Sequence, residues 1–179
     1  GFVAKQKEQA HLVLGFPGIT LNDPRKWSLE VLATVLAGQG GRLFLELRDR
    51  QSLAYSVTAY SMEGLAPGYF AGYIGTAQDK LETAERGLKA ELEKVREAGI
   101  TQDELERAQR YLVGTHEIAL QRASARSGTM ALNEAYGLGY DDYLRYGERI
   151  RAVTLDSVRE TARDIIRFDR LVRAVVAAG

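Results

Sequence analysis

The chain contains no cysteine in its 179 residues. A disulfide framework and a thiolate metal site are both excluded, because each requires cysteine sulfur. Reducing and oxidising compartments both tolerate a chain without cysteine, so the sequence leaves the localisation open.

The sequence also lacks an excess of charge of either sign. Lysine and arginine total 24, as do aspartate and glutamate, so the formal net charge is zero. A chain without excess positive charge has no long-range field that attracts nucleic acid or anionic lipid. The sequence therefore predicts no nucleic-acid partner.

Long hydrophobic runs are missing as well. The longest apolar stretch covers residues 31–37, far short of the roughly 20 residues that a membrane-spanning helix needs. We therefore predict no membrane segment in this chain. The sequence begins with Gly1 rather than methionine, and its first residues resemble the lead-in to a strand. We expect a fragment of a longer chain, for which a missing targeting signal is uninformative.

Histidine is scarce, and the two residues present, His11 and His116, lie far apart in the sequence. Neither belongs to a His-x-x-Glu-His or His-Glu-x-x-His arrangement. Zinc needs three or four convergent ligands, so the sequence predicts no metal site in this chain. We interpret the two histidines as an ordinary strand residue and a helix-surface residue.

Two other catalytic patterns are weak or missing. Gly38, Gly40 and Gly41 could suggest a phosphate-binding loop, but such loops lead from a strand into a helix, whereas these glycines follow a predicted helix. We interpret them as a turn between helices. No Gly-x-Ser-x-Gly motif occurs, so nothing indicates a serine nucleophile.

The composition is that of a folded globular protein. Hydrophobic residues make up 45% of the chain and charged residues 27%, well away from the values typical of disordered chains. The length favours one domain over two, so we assign residues 1–179 to a single domain.

The first half of the chain predicts a strand, two helices and a hairpin. Residues 9–16 are typical of a buried strand. A helix follows, with Asp23 as N-cap, Pro24 at its first position and Gly38 at its end, and then a short second helix over residues 42–50.

Residues 53–62 alternate between two faces, as a strand does. The breakers Pro67 and Gly68 separate them from the aromatic-rich residues 69–76. Because this connection is too short for a crossover helix, we predict that the two segments pair antiparallel.

The second half is predicted to be helical. Helix starts are indicated at Asp79 with Glu82, at Thr101 with Glu104, at Asp141 or Asp142, and at Thr154. Residues 171–177 predict a last strand. This order of elements favours an α+β, two-layer domain, in which helices cover one face of a mainly antiparallel sheet.

One segment carries a family resemblance. Residues 36–57 read LAGQGGRLFLELRDRQSLAYSV, with a glycine-rich joint, Arg-Leu-Phe, Leu-Arg, and Leu-Ala-Tyr ending seven residues after that last Arg. This pattern resembles the C-terminal-type, zinc-free domain of M16 (pitrilysin-type) metallopeptidases. The similarity extends to AHLVLGFPG at residues 10–18, Gly-Tyr-Phe at 68–70 and Thr-Leu-Asp-Ser-Val at 154–158, and it covers essentially the whole chain.

The resemblance implies a function shared between two domains. In that family a first domain holds zinc on His-x-x-Glu-His and a distal Glu, and a second domain closes on the extended peptide with an Arg and a Tyr. By resemblance, Arg48 and Tyr55 are this pair, and zinc is expected on the partner domain. The Tyr55 hydroxyl would donate to the scissile carbonyl, and Arg48 would hold substrate backbone oxygen or orient Tyr55.

Spacing by itself favours a different interpretation of this pair. Arg48 next to Asp49 is typical of a solvated helix charge, and Tyr55, in register with Leu53 and Val57, is typical of a packed strand aromatic. The resemblance is what assigns them to the site.

The same resemblance leaves two further expectations. Domains of the family normally begin with another strand and helix, so we expect that this chain lacks that first piece of the fold. The alternative function is a non-catalytic, M16-like structural or interaction subunit, as in respiratory complexes, which the presence of both Arg48 and Tyr55 disfavours.

Overall fold

A computed structural model describes residues 9–38 and 40–177 and contains a four-stranded antiparallel sheet, in the order β2-β3-β1-β4. The strands are β1 (Gln9–Pro17), β2 (Ser56–Met62), β3 (Tyr69–Ala77) and β4 (Val172–Val176). The predicted antiparallel hairpin, here formed by β2 and β3, is confirmed.

The register of the central strands gives the sheet two different faces. Leu12 lies opposite Ile74, and Leu14 lies opposite Gly72; all four are buried on the face that the helices cover. A Cβ atom at Gly72 would lie 3.3 Å from the Cδ1 atom of helical Leu88, a tight contact that shows how closely the helix packs on this face. The alternate residues lie on the second face, where the side chains other than that of Ala71 are half-buried or exposed. We call this second face the open face.

Within the described residues, seven helical segments accompany the sheet. They are α1 (Lys26–Leu36), a π-helical segment (Phe44–Arg50), α2 (Leu81–Ala98), α3 (Gln102–Ala119), α4 (Ala123–Ala135), α5 (Tyr146–Arg151) and α6 (Leu155–Ile165). Short 3₁₀ turns lie at Gln78–Lys80, Asp142–Arg145 and Phe168–Arg170. The α+β architecture with helices on one sheet face is confirmed.

Apolar residues of the sheet and helices form one core. Phe16 of β1 contacts the Phe70 ring and, edge to face, the Phe168 ring, with centroids 5.8 Å apart in the latter pair. Helix α1 contributes buried Leu29 and Leu32. Helix α4, in contrast, buries none of its residues. None of the helices in the described residues is long and apolar enough to cross a membrane.

Two predicted helix starts are wrong. Helix α1 begins at Lys26, not beside Asp23, because the Asp23 carboxylate instead accepts from the backbone N–H and guanidinium of Arg25. Helix α2 has Lys80 as N-cap without a side-chain cap, since a 3₁₀ turn occupies the position of the expected capping box.

The later helix starts are partly as predicted. Thr101 and Thr154 both cap their helices through a capping box, which confirms those assignments. Asp141 makes no capping hydrogen bond. The carboxylate of Asp142 instead pairs with Arg149 at 2.7 Å, and these bonds hold the pKa of Asp142 below its usual value.

Candidate functional site

Arg48 lies in the last turn of the π-helical segment, with its side chain exposed. The neighbouring Leu47 is completely buried and fixes this segment to the core. The Arg48 guanidinium lies over the Phe44 ring, 4.9 Å from its centroid, and makes no ion pair or hydrogen bond with any described residue. The cation–π contact orients the side chain while leaving its N–H donors free.

Hydrogen bonds hold in place the turn that joins Arg48 to Tyr55. The Ser52 N–H donates to the Arg48 carbonyl at 3.1 Å, and the Leu53 N–H donates to the Leu47 carbonyl at 2.8 Å. Thr76 of β3 then donates its hydroxyl to the Leu53 carbonyl at 2.5 Å. Both ends of the turn are therefore tied to buried parts of the domain.

Tyr55 lies one residue before β2 rather than inside the strand, which corrects its predicted place. Its N–H donates to the Gly75 carbonyl at 2.8 Å, so its backbone is fixed to β3. The side chain is 58% exposed, and its hydroxyl has no hydrogen-bond partner among residues 9–38 and 40–177. A free hydroxyl on a fixed backbone is able to donate to a ligand.

The glycine-rich joint borders a groove between α1, β2 and α3. The groove has a volume of about 750 Å³ and is lined by Glu30, Ala59, Arg107, Tyr111 and the joint itself. A side chain at Gly41 would lie 1.9 Å from the carbonyl oxygen of the helix end before it. The joint is a turn between helical segments, as predicted.

Arg42, directly after the joint, forms an ion pair with Glu104, which lines the groove. Its guanidinium binds both carboxylate oxygens of Glu104, with each N···O distance 2.6 Å. Burial opposes ionisation of Glu104, but the hydrogen bonds from Arg42 and the Thr101 N–H lower its pKa below the usual value. The ion pair links the joint to the start of α3.

A half-buried carboxyl group also lines the groove. Glu30 accepts a 2.6 Å hydrogen bond from the Tyr146 hydroxyl. Burial raises the pKa of Glu30, and the Tyr146 bond only partly offsets this effect. His116 stacks on the Tyr146 ring at 4.1 Å, so it is half-buried rather than on the helix surface as expected.

The second histidine, His11, belongs to a polar cluster that sequence analysis missed. Its Nδ1 atom lies 2.9 Å from the Tyr73 hydroxyl, and the Ser56 hydroxyl donates to the same Tyr73 oxygen at 3.3 Å. The only signal in the sequence was the strand periodicity, which places each residue on a strand but does not give the register between strands. In the described part of the chain, no group of three His, Cys, Asp or Glu side chains converges as a metal site would require.

Comparisons with known proteins agree with this architecture. Residues 2–112 match the family profile of the peptidase M16 inactive domain. The chain is 36% identical over 168 residues to an uncharacterized zinc protease of Streptomyces coelicolor, a match that spans 92% of this chain but 36% of that relative. It is 26% identical over 179 residues to the non-peptidase homolog YmxG of Helicobacter pylori, covering 97% of this chain and 40% of that protein.

A solved structure shares the fold. The crystal structure of a protease from Helicobacter pylori superposes with a TM-score of 0.88 at 19% identity, over 97% of this chain and 42% of that chain. At this level of identity the likeness concerns the fold alone. In each of these comparisons, most of the other protein lies outside the matched region.

Proposed function

Because this chain belongs to the M16 peptidase family, as the inactive domain of that family, we propose that it is the zinc-free half of a zinc metallopeptidase. The zinc ion would be held by a partner domain, fused or separate, that carries His-x-x-Glu-His. When bound there, zinc would polarise the scissile carbonyl and activate water. This chain would supply the opposite wall of the peptide site.

Within that wall, Tyr55 stabilises the transition state and Arg48 binds substrate. The Tyr55 hydroxyl donates to the scissile carbonyl oxygen, and the bond strengthens as that oxygen gains negative charge. The planar Arg48 guanidinium holds a peptide carbonyl or orients Tyr55. The observation that carries this proposal is that both side chains are exposed and make no hydrogen bond or ion pair with a described residue. Their backbones are joined by a turn that hydrogen bonds hold in place.

The test is Tyr55→Phe in the zinc-bearing assembly. This change removes one oxygen and preserves the ring, so kcat should fall roughly ten- to a thousandfold, with unfolding free energy almost unchanged. Tyr140→Phe is the matched control, because that ring is also 58% exposed and lies elsewhere on the domain. Its kcat should equal that of the wild type.

Arg48→Lys separates the two roles of Arg48. Loss of the planar fork should raise KM if Arg48 grips substrate, and should lower kcat as well if it orients Tyr55. Full activity of both the Tyr55 and Arg48 variants would refute the proposal.

The second candidate is a non-catalytic subunit with an M16 fold. It is favoured by the relative from Helicobacter pylori whose name is non-peptidase homolog. Under this function the assembly that contains this chain would hydrolyse no peptide, and the Tyr55 and Arg48 substitutions would leave its assembly with partners intact.

A further inference from the structure

Three strands bring the side chains of His11, Tyr73 and Ser56 together on the open face. Gly75 of β3 lies between His11 of β1 and Ser56 of β2 in the register of the sheet. The His11 and Tyr73 rings lie at 22° to one another with centroids 6.1 Å apart. The cluster therefore depends on the pairing of all three strands.

Gly75 makes room for this cluster. A Cβ atom at Gly75 would lie 2.9 Å from the Ser56 hydroxyl oxygen, 3.0 Å from the Tyr73 oxygen and 3.7 Å from His11 Nδ1. The polar atoms occupy the space that any other residue would fill with its side chain.

The cluster contains two hydrogen bonds in series. Ser56 donates its hydroxyl proton to the Tyr73 oxygen. The Tyr73 hydroxyl lies 2.9 Å from His11 Nδ1; in the tautomer with the ring proton on Nε2, Nδ1 accepts this bond and Tyr73 donates it. No described residue accepts from Nε2, so in that tautomer the series of bonds ends in a free N–H donor.

The cluster adjoins the proposed peptide site. Ser56 directly follows Tyr55, and the Tyr55 N–H donates to the carbonyl of the same Gly75 that underlies the cluster. In the register of the sheet, only Gly75 separates Ser56 from His11, so a peptide that crosses the open face from the Tyr55 end of β2 reaches His11 two strands away. Its main-chain carbonyls are acceptors that carry no charge, which suits a single neutral donor.

The geometry points to a peptide-binding subsite in which His11 Nε2–H donates to a main-chain carbonyl of the bound peptide, away from the scissile bond. Tyr73 and Ser56 are positioning residues that fix the tautomer of His11. This inference rests on the proposed function, since it assumes that a peptide reaches Tyr55.

The relay, meaning the hydrogen bonds from Ser56 to Tyr73 and from Tyr73 to His11, is tested first in the chain by itself. Long-range ¹⁵N–¹H NMR, at a pH where His11 is neutral, should show its proton on Nε2. Tyr73→Phe should shift His11 toward a mixture of tautomers, because the phenyl ring cannot donate to Nδ1. A wild-type proton on Nδ1, or a tautomer unchanged in Tyr73→Phe, would overturn the relay.

The subsite is tested in the zinc-bearing assembly with peptides of increasing length. His11→Phe keeps a ring against Tyr73 and removes the donor. Its KM should rise about three- to tenfold for peptides long enough to reach His11, with KM for the shortest peptides and kcat for all peptides unchanged. His116→Phe, the other histidine of the chain, is the control.

The outcomes distinguish this inference from the proposed function. Loss of kcat in Tyr55→Phe, together with an unchanged KM in His11→Phe for every peptide, overturns the subsite alone. An equal loss at all lengths in His11→Phe also overturns it, since a merely structural role would not depend on peptide length. Full activity of Tyr55→Phe and the Arg48 variant would instead overturn the proposed function itself.

Discussion

Glu30 is a half-buried carboxyl group, and no arginine or lysine forms an ion pair with it in the described residues. Its hydrogen bond from Tyr146 satisfies one carboxylate oxygen, but burial still raises its pKa. The ionised form is therefore less favourable in the folded chain than in the unfolded chain. The sequence did not reveal this state, because a glutamate within an amphipathic helix is typical of a solvated position.

Replacing Glu30 with Gln should stabilise the domain at neutral pH by roughly 1 kcal/mol, since the amide oxygen keeps the Tyr146 bond without a buried charge. A raised pKa means that the contribution of Glu30 to stability is complete below its ordinary value of 4.5 and is lost as pH rises through the raised value. The gain should therefore disappear below about pH 4.5. Urea unfolding across this pH range measures it.

The control for that experiment is Glu93→Gln on helix α2, whose carboxyl group is exposed and forms no ion pair with a described residue. Its stability should follow the wild type at every pH. A Glu30→Gln variant less stable than the wild type at neutral pH would show that the carboxylate charge stabilises the fold.

Ser52 affects the stability of the fold through its backbone conformation rather than through contacts of its side chain. Its φ angle of 52° is in the left-handed region, which favours glycine. Ser52→Gly should stabilise the domain by about 0.5 kcal/mol, because relief of the Cβ strain exceeds the entropy that glycine loses on folding. Ser52→Ala keeps the Cβ and should leave the unfolding free energy unchanged. Thermal denaturation that shows Ala and Gly variants alike would contradict this account.

At the scale of elements, the start of α3 is where local and distant interactions meet. Thr101 and Glu104 form a capping box, and Arg42 adds a two-pronged ion pair to the same Glu104 carboxylate. Both partners are mostly buried, with 21% and 16% of their side chains exposed. The Glu104 carboxylate therefore joins the start of α3 to the residue that follows the glycine-rich joint.

Glu104→Gln should destabilise the domain by about 3 kcal/mol, because it leaves the half-buried Arg42 charge without the carboxylate that it binds through two hydrogen bonds. The pKa of Glu104 is lowered in the fold, so its contribution is present above its ordinary value of 4.5 and is lost as pH falls below it. Guanidinium unfolding should show variant and wild type converging at acid pH. The double variant with Arg42→Met should recover part of the loss, and equal loss in single and double variants would exclude this coupling.

The contacts at the start of α3 also separate what the sequence can predict from what it cannot. The Thr101 and Thr154 capping boxes involve residues three positions apart, so the local pattern predicted them. The Arg42 contact with Glu104 and the cluster around Gly75 depend on packing between distant segments, which periodicity does not give. Arg48 and Tyr55 were identified only through family resemblance, because their spacing alone suits a solvated charge and a packed aromatic. The predicted caps at Asp23 and Asp79 are wrong because a local turn takes the place of each cap. Asp23 binds Arg25 in the turn before α1, and Asp79 lies inside the 3₁₀ turn before α2.

At the scale of the whole molecule, the domain carries the proposed substrate contacts, Arg48 and Tyr55, but its described residues contain no convergent set of metal ligands. We expect the purified chain to bind no stoichiometric zinc and to hydrolyse no peptide, because its described residues form no ligand set and its sequence has no His-x-x-Glu-His glutamate to act as general base. Elemental analysis and a peptidase assay with and without chelator measure this. One tightly held zinc per chain with chelator-sensitive activity would contradict the division of labour between two domains.

The position of β1 at the centre of the sheet has a consequence for biosynthesis. His11 pairs with Gly75 on one side and with Val176 on the other, so β1 emerges from the ribosome well before either neighbour. Until then an apolar strand has two unpaired edges, a state prone to aggregation. β3 covers one edge first, and pairing of the other edge with β4 joins residues as distant in sequence as His11 and Val176, a non-local contact of the kind that forms slowly. The edge of β1 that β4 covers should therefore stay exposed, to aggregation and to chaperones alike, until β4 has been synthesised.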